Sequence, residues 1–355
     1  MSKPISLSTD YLIIGAGAMG MCFLDELINN SSSLEAIIVD QRDKPGGHWN
    51  DAYSFVRLHQ PALTYGVNSR PLGVGGPDQA SKSQILSHFE LALADLLTTG
   101  RVTFLSQCRH LGEGRLESLL DSDTSYQVEV RRKLVDATHC ETRVPSTSQP
   151  NFTVEEEVNF VPVNGLGTLR DSYDHYMIVG GGKTGIDAVL HLLDHGVNPD
   201  RIGWIVPNDS WFFNRDLFKY DEHILTLFAN LFDAFTIETD TCYEDVYLSM
   251  ERAGIMLRLD NTRTPTRNRL ATVSTPELAK LSSVKNVIRK GRLGAVTASS
   301  LVFLSGEQVE LQKNTLVVDC AVNGLKFKPK TKIFQGNKII LQYIQIPPLG
   351  ELCKK

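Results

Sequence analysis

Two glycine clusters are the residues in this chain with the clearest chemistry. In Tyr11-Leu12-Ile13-Ile14-Gly15-Ala16-Gly17-Ala18-Met19-Gly20 the glycines fall at G-x-G-x-x-G spacing behind an apolar run. Gly180, Gly182 and Gly185 repeat that spacing behind Tyr176-Met177-Ile178-Val179. Between a strand and a helix, the first glycine makes the tight turn, the second lets a pyrophosphate approach the backbone, and the third lets helix and strand pack closely. The unpaired N–H groups and positive dipole end of the helix then face the phosphates. Gly15, Gly17, Ala18 and Gly20 are therefore expected to cradle one dinucleotide. Asp40, 20 residues past Gly20 at the end of the next apolar run, is placed to accept ribose hydroxyls. Gly180, Gly182, Lys183, Thr184 and Gly185 are expected to cradle a second dinucleotide. Met177 stands where a Walker triphosphate loop needs glycine, which excludes that motif. The strand after the second cluster ends Ile205-Val206-Pro207-Asn208 without a carboxylate matching Asp40. That favours NADPH, with Arg215 the cation for a 2′-phosphate; Asp209 argues the other way and keeps NADH open.

Other residues could border a flat cofactor. Pro45-Gly46-Gly47-His48-Trp49 directly follows the acid, so Gly47, His48 and Trp49 are expected to wall the first site; a capped loop with a half-buried Trp is the alternative. In Tyr53–Gly66, Arg57 and His59 interrupt an apolar alternation that reads as a strand stopped by Pro61. They are candidates for the reacting end of a pocket, or polar residues of an edge strand. Arg263, Arg267 and Arg269 form a basic stretch, either solvated surface or a second contact for an anion. The six cysteines include no C-x-x-C pair and no cluster with histidine at zinc spacing, so neither a dithiol relay nor a metal site is expected.

The elements that position these residues read as α/β. Helices are expected after each glycine turn and over 81–99, where Ile85, Leu86, Phe89, Leu93 and Leu96 share a face and His88 reads as structural. Asn68–Ala80, rich in Gly and Pro, reads as a mobile cover. An antiparallel meander is expected from about 111 to 161, with separate strands at 126–130 and 133–138. A helical stretch is expected at 217–235 and short strands from 286 onward. At 355 residues the chain has room for one domain inserted in another. A formal charge of -5 argues against nucleic acid, and no apolar run is long enough to span a bilayer or form a secretory core, so a cytoplasmic protein is expected.

Taken together, Gly15–Gly20, Asp40, Gly46-Gly47-His48-Trp49 and Gly180-Gly181-Gly182-Lys183-Thr184-Gly185-Ile186-Asp187 resemble two-dinucleotide-binding-domain flavoproteins. The resemblance is most marked to the flavin-containing monooxygenase and Baeyer–Villiger-like branch, and it spans nearly the whole chain. It implies two Rossmann-like three-layer domains, with the NAD(P)-binding domain inserted into the FAD-binding domain. The implied division is 1–165 for the first part of the FAD domain, 166–285 for the NAD(P) domain with a helical insert, and 286–355 for return strands of the FAD domain. It implies FAD at the first fingerprint and NADPH or NADH at the second, with O₂ and a small organic molecule as co-substrates. By position, Arg57, His59 and Gln60 would pass the flavin ring as the catalytic candidates, with no metal required. The branch's F-x-G-x-x-x-H-x-x-x-[FY] signature is absent; Phe160–Gly165 stands near its place, and Ala321-Val322-Asn323-Gly324 replaces an Ala-Thr-Gly. The broken run Pro347–Lys355 reads as a truncation of the final helix. These departures keep open a flavoprotein reductase without oxygen insertion, and a non-catalytic dinucleotide-binding protein.

Overall fold

The computed structural model describes residues 3–140, 144–217, 242–321, 329 and 331–342. Apart from Leu217, the helix expected at 217–235 lies outside them, as do Val322-Asn323-Gly324 and the run from Pro347. The chain begins with β1 (Ile5–Ile14), α1 (Ala18–Asn29) and β2 (Ala36–Val39). β1 and β2 are parallel, in register from Tyr11↔Ala36 to Ile14↔Val39. All of β2 is buried, which is why it reads as an unbroken apolar run. Met21, Leu24 and Ile28 recur at helical spacing and bury one stripe of α1. A hairpin of β3 (Gly66–Val67) and β4 (Arg70–Pro71) precedes α2 (Lys82–Leu97) and β5 (Val102–Leu105), which pairs parallel to β2. Ser81 caps α2 through a reciprocal box with Gln84.

The meander consists of β6 (Cys108–Gly112), β7 (Arg115–Ser118) and β8 (Ser125–Asp136), and β8 also lies parallel to β1. The two strands expected at 126–130 and 133–138 are this one strand. The register shifts between Thr9 and Tyr11, and Arg131 and Arg132 both reach Asp10 there (3.0 and 3.7 Å). A bulge thus absorbs the charged pair without ending the strand.

The second half contains β9 (Thr153–Val154), β10 (Phe160–Pro162), α3 (Val163–Leu166), β11 (His175–Val179), α4 (Lys183–Asp194), β12 (Ile202–Ile205) and β13 (Ser210–Asn214). Next are α5 (Tyr243–Arg252), β14 (Met256–Leu257), β15 (Arg267–Val273), α6 (Thr275–Leu281) and β16 (Asn286–Ile288). β17 (Leu293–Val296), β18 (Ser300–Phe303), β19 (Gln308–Glu310) and β20 (Thr315–Asp319) precede the hairpin of β21 (Phe334–Gln335) and β22 (Lys338–Ile340). A second parallel sheet runs β10-β20-β11-β12-β16, flanked by small sheets β14-β13-β15 and β19-β18-β17-β9.

This pairing corrects the expectation for the strands after 286. β16 and β20 belong to the second sheet and β17–β19 to a small sheet; among the described residues after 286, the β21–β22 hairpin joins the first, with β22 parallel to β8. β10 likewise joins the second sheet ahead of residue 165. A short buried strand looks the same from either sheet, so apolar runs alone could not assign the partner.

The Asn68–Ala80 segment, expected to be a mobile cover, begins as a hairpin and is tethered at both ends. Ser69 N donates to the buried Asp25 of α1 (3.0 Å), the Ser69 hydroxyl bonds the same carboxylate, and Asn68 donates to Glu26 (2.5 Å). Its far end is held by Gln79, which donates to Leu58 O (2.6 Å). His88 is structural as expected, its Nε2 accepting from Val67 N (3.1 Å). Among the described residues no helix is long and apolar enough to cross a membrane.

Candidate functional site

The two glycine turns close in the same way. Gly15 and Gly180 take positive φ values of 99° and 126°, a region that a side chain rarely adopts. Gly17 and Gly182 are the N-caps of α1 and α4, each extended with ψ near 180° (-176° and -173°) and with no side-chain cap bond, so the first-turn N–H groups stay available. A Cβ on Gly20 would overlap Gly15 O, and one on Gly185 would overlap Gly180 O. The turns are thus paired strand–turn–helix units at the carboxyl ends of parallel strands in two sheets. Trp204 on β12 adds a brace at the second, its indole N–H donating to Gly180 O (2.8 Å).

Around the first turn, Asp40 is buried, and its Oδ2 accepts from Ala16 N (2.7 Å) while Oδ1 accepts from Arg42 N (2.9 Å). The carboxylate therefore ties the second strand's end to the glycine turn; each oxygen keeps a further lone pair for a ribose hydroxyl. Gly47 lies against Gly17, so close that a Cβ on Gly47 would come 2.9 Å from Gly17 Cα. A short 3-10 helix, Gly47–Asp51, follows; Lys82 holds its end by donating to Asn50 O (3.0 Å) and Ala52 O (2.6 Å). Asp51 pairs with Arg42. Trp49 is buried with its N–H on Tyr65 Oη (2.7 Å), and His48 sits beside it, ring centroids 5.3 Å apart. Burial, reinforced by Arg42, pushes the His48 imidazole down to about 4. Gly47, His48 and Trp49 thus stand together beside the first turn. The glycines, available N–H groups and buried carboxylate are the donor and acceptor set that a dinucleotide such as FAD requires.

The segment after the 3-10 helix is irregular, not the strand expected from its alternation. Tyr53, Val56 and Leu58 are buried at uneven spacing, and only Arg57 makes a bridge, to Ser81. Its anchors lie on the second half of the molecule. Tyr53 Oη donates to Asp187 Oδ2 (2.7 Å), Lys183 pairs with the other oxygen of Asp187, and Phe55 stacks on His191 at 4.0 Å. The Thr184 hydroxyl also reaches Tyr53, whose phenol is pushed well up, mainly by burial and then by Asp187.

The catalytic candidates separate here. Arg57 is exposed and donates to Gln79 O (3.1 Å), which fastens it to the loop. His59 is half-buried, its carbonyl accepting from Thr272 Oγ1 (2.9 Å) on β15. Its Nδ1 is buried without a hydrogen-bond partner. Burial, with the charges of Lys183 and then Arg215 nearby, pushes its imidazole down to about 3. Gln60 is half-buried next to it. His59 therefore lies against residues of the second unit.

Arg215, the expected phosphate cation, is already engaged. It forms an ion pair with Glu277 and donates to Thr272 O (3.4 Å). Arg267 and Arg269 lie on β15, not in a loop. Tyr53, Trp204 and Glu277 were missed by sequence reasoning. Their partners lie up to 134 residues away, and no periodicity signals such a pairing. Among the described residues no group of three or more His, Cys, Asp or Glu is placed to hold a metal.

No family model matches the chain. An uncharacterized protein of Mycobacterium tuberculosis (strain ATCC 25618 / H37Rv) is 37% identical over 354 residues, covering 96% of this chain and 65% of its own length. The chain thus spans about two thirds of that curated relative. Among solved structures, a mutant flavin monooxygenase from Stenotrophomonas maltophilia aligns with a TM-score of 0.54 at 14% identity, covering 95% of this chain and 86% of that one. Cyclohexanone monooxygenase from Rhodococcus sp. Phi1, bound to NADP⁺, aligns with a TM-score of 0.54 at 14% identity, covering 89% and 71%. At these identities the likeness is one of fold, the α/β architecture of two-domain flavoprotein monooxygenases.

Proposed function

We propose that the chain is an FAD-dependent oxidoreductase that uses NADPH or NADH, with monooxygenase-like action on a small organic substrate and O₂. The observation that carries this reading is the duplicated turn. Two strand–glycine–helix units share a positive-φ first glycine, an uncapped N-cap glycine and a third glycine that a methyl group would drive into the first glycine's carbonyl. One such turn has a packing explanation; two, one with a buried acid behind it, are suited to a resident and a visiting dinucleotide. The turn with Asp40 and the Gly47–Trp49 wall is the better seat for FAD. The turn at Gly182, where an added Cβ would meet nothing within 4 Å, is the more open stop for the nicotinamide cofactor.

Strand pairing supports a division in which 5–136 with 334–340 carry FAD and 153–319 carry the nicotinamide cofactor. When bound, FAD would supply the electron-transfer and oxygen chemistry. The chain's own contribution is positional. Gly17 and Ala18 would present backbone N–H groups to the pyrophosphate, Asp40 would hold a ribose, and Trp49 with His48 would exclude water from one side. Tyr53–Asp187 holds the segment leaving the first site against the helix that opens the second, and so would set the approach of the two dinucleotides.

Titrating the protein with FAD tests the first half of this reading by flavin fluorescence and by retention through gel filtration. Retained flavin in the native protein and its loss in Gly17→Leu are expected. A native protein that cannot be loaded with FAD contradicts the reading.

A further inference from the structure

We infer that the second dinucleotide site selects a 2′-phosphorylated adenosine through Arg263 and Arg289, not through Arg215; this rests on the reading of that turn as a nicotinamide-dinucleotide site. In a parallel α/β sheet the adenosine ribose lies outside the carboxyl end of the strand that follows the glycine helix. Here that strand is β12, and no cation or carboxylate stands in Val206-Pro207-Asn208. The neighbouring strand fills the gap. β16 runs parallel to β12 with Ile205 opposite Ile288, and Val206 N donates to Ile288 O (2.9 Å), so Arg289 emerges beside Val206. The glycine turn is on the other side of Val206, since a Cβ on Gly181 would come 2.8 Å from Val206 Cγ1. Turn, Val206 and Arg289 therefore lie in a row along the carboxyl edge.

Around this edge four charged side chains interlock. Arg289 Nε is 3.0 Å from each oxygen of Asp209, Arg289 Nη2 is 3.4 Å from Asp260, and Arg263 Nε is 3.3 Å from Asp209. Asp209 is thereby occupied by two guanidiniums and is poorly placed to read a free ribose hydroxyl, which removes the sequence argument for NADH. The carboxylates fix both arginines but engage only part of each five-donor fork, and a phosphate can take parallel N–H bonds from what is left. Arg263 is 55% exposed on its side chain against 18% for Arg289, which makes it the group that a ligand meets first. Arg215, by contrast, is 11% exposed and bound to Glu277.

Isothermal titration with adenosine 2′,5′-bisphosphate and with 5′-AMP, which differ only by the 2′-phosphate, tests this without any turnover. The native protein is expected to bind the bisphosphate about tenfold or more tightly than 5′-AMP, in line with a charge-assisted bond. Arg263→Ala should abolish most of that preference and Arg263→Glu should reverse it, both leaving 5′-AMP affinity and thermal stability near native because the side chain is exposed. Equal binding of the two nucleotides by the native protein overturns the inference, as does tighter binding of 5′-AMP or a parallel loss of both in the Arg263 variants. Failure to bind either nucleotide overturns it differently, by removing the dinucleotide reading of the second turn.

Discussion

At the scale of single residues, the third glycines and His59 are the positions with the least freedom to change. Adding a methyl group at Gly20 or Gly185 drives it into a backbone carbonyl that cannot move without breaking the turn. Gly20→Ala and Gly185→Ala are each expected to destabilise the protein by about 3 kcal/mol or more, checked by urea denaturation. Loss below about 0.5 kcal/mol would mean that helix and strand can separate at no cost. His59 makes a second test. Its imidazole, ordinarily titrating near 6.5, is held down to about 3 by burial and by Lys183 and Arg215. A base with a depressed folded value binds more protons when unfolded, so its contribution is complete above pH 6.5 and is lost as pH falls toward 3. His48, down to about 4, adds to the same window. Thermal midpoints should therefore fall between pH 6.5 and pH 4, and His59→Gln should flatten that slope; an unchanged slope in the variant would exclude His59 as a cause.

At the scale of elements, the glycine turns and the strands and helices around them were legible because backbone geometry there demands particular residues. Positive φ, close helix–strand approach and a fully buried strand each leave a mark on residue type. Sheet membership leaves none, so nothing in the apolar runs of β16 and β20 marks them as strands of the second sheet. The same limit hid the contacts made by Tyr53, Trp204 and Glu277, and it left Arg215 looking free. The segment Tyr53–Gln60 illustrates the point further. Its alternation of apolar and polar residues reads as a strand, but Tyr53 and Phe55 are anchors on the second unit. Removing one anchor should show it. Tyr53→Phe deletes the bond to Asp187 and is expected to cost about 1.5–3 kcal/mol, measured by denaturation, while leaving FAD loading intact. A neutral effect on stability would mean that Asp187 is satisfied by Lys183 alone. Trp204→Phe leaves Gly180 O without its indole partner and should cost about 1–3 kcal/mol.

At the scale of the molecule, two sheets each present a glycine turn at the carboxyl end of their parallel strands, with one segment of the first unit bonded to the opening helix of the second. That arrangement makes sense if electrons pass between two dinucleotides. The central claim is tested most directly by adding NADPH to the FAD-loaded protein in the absence of oxygen while following flavin absorbance. The account predicts stoichiometric bleaching of the flavin band, with colour restored on admitting air. Retained flavin that dithionite bleaches but neither NADPH nor NADH reduces would contradict it.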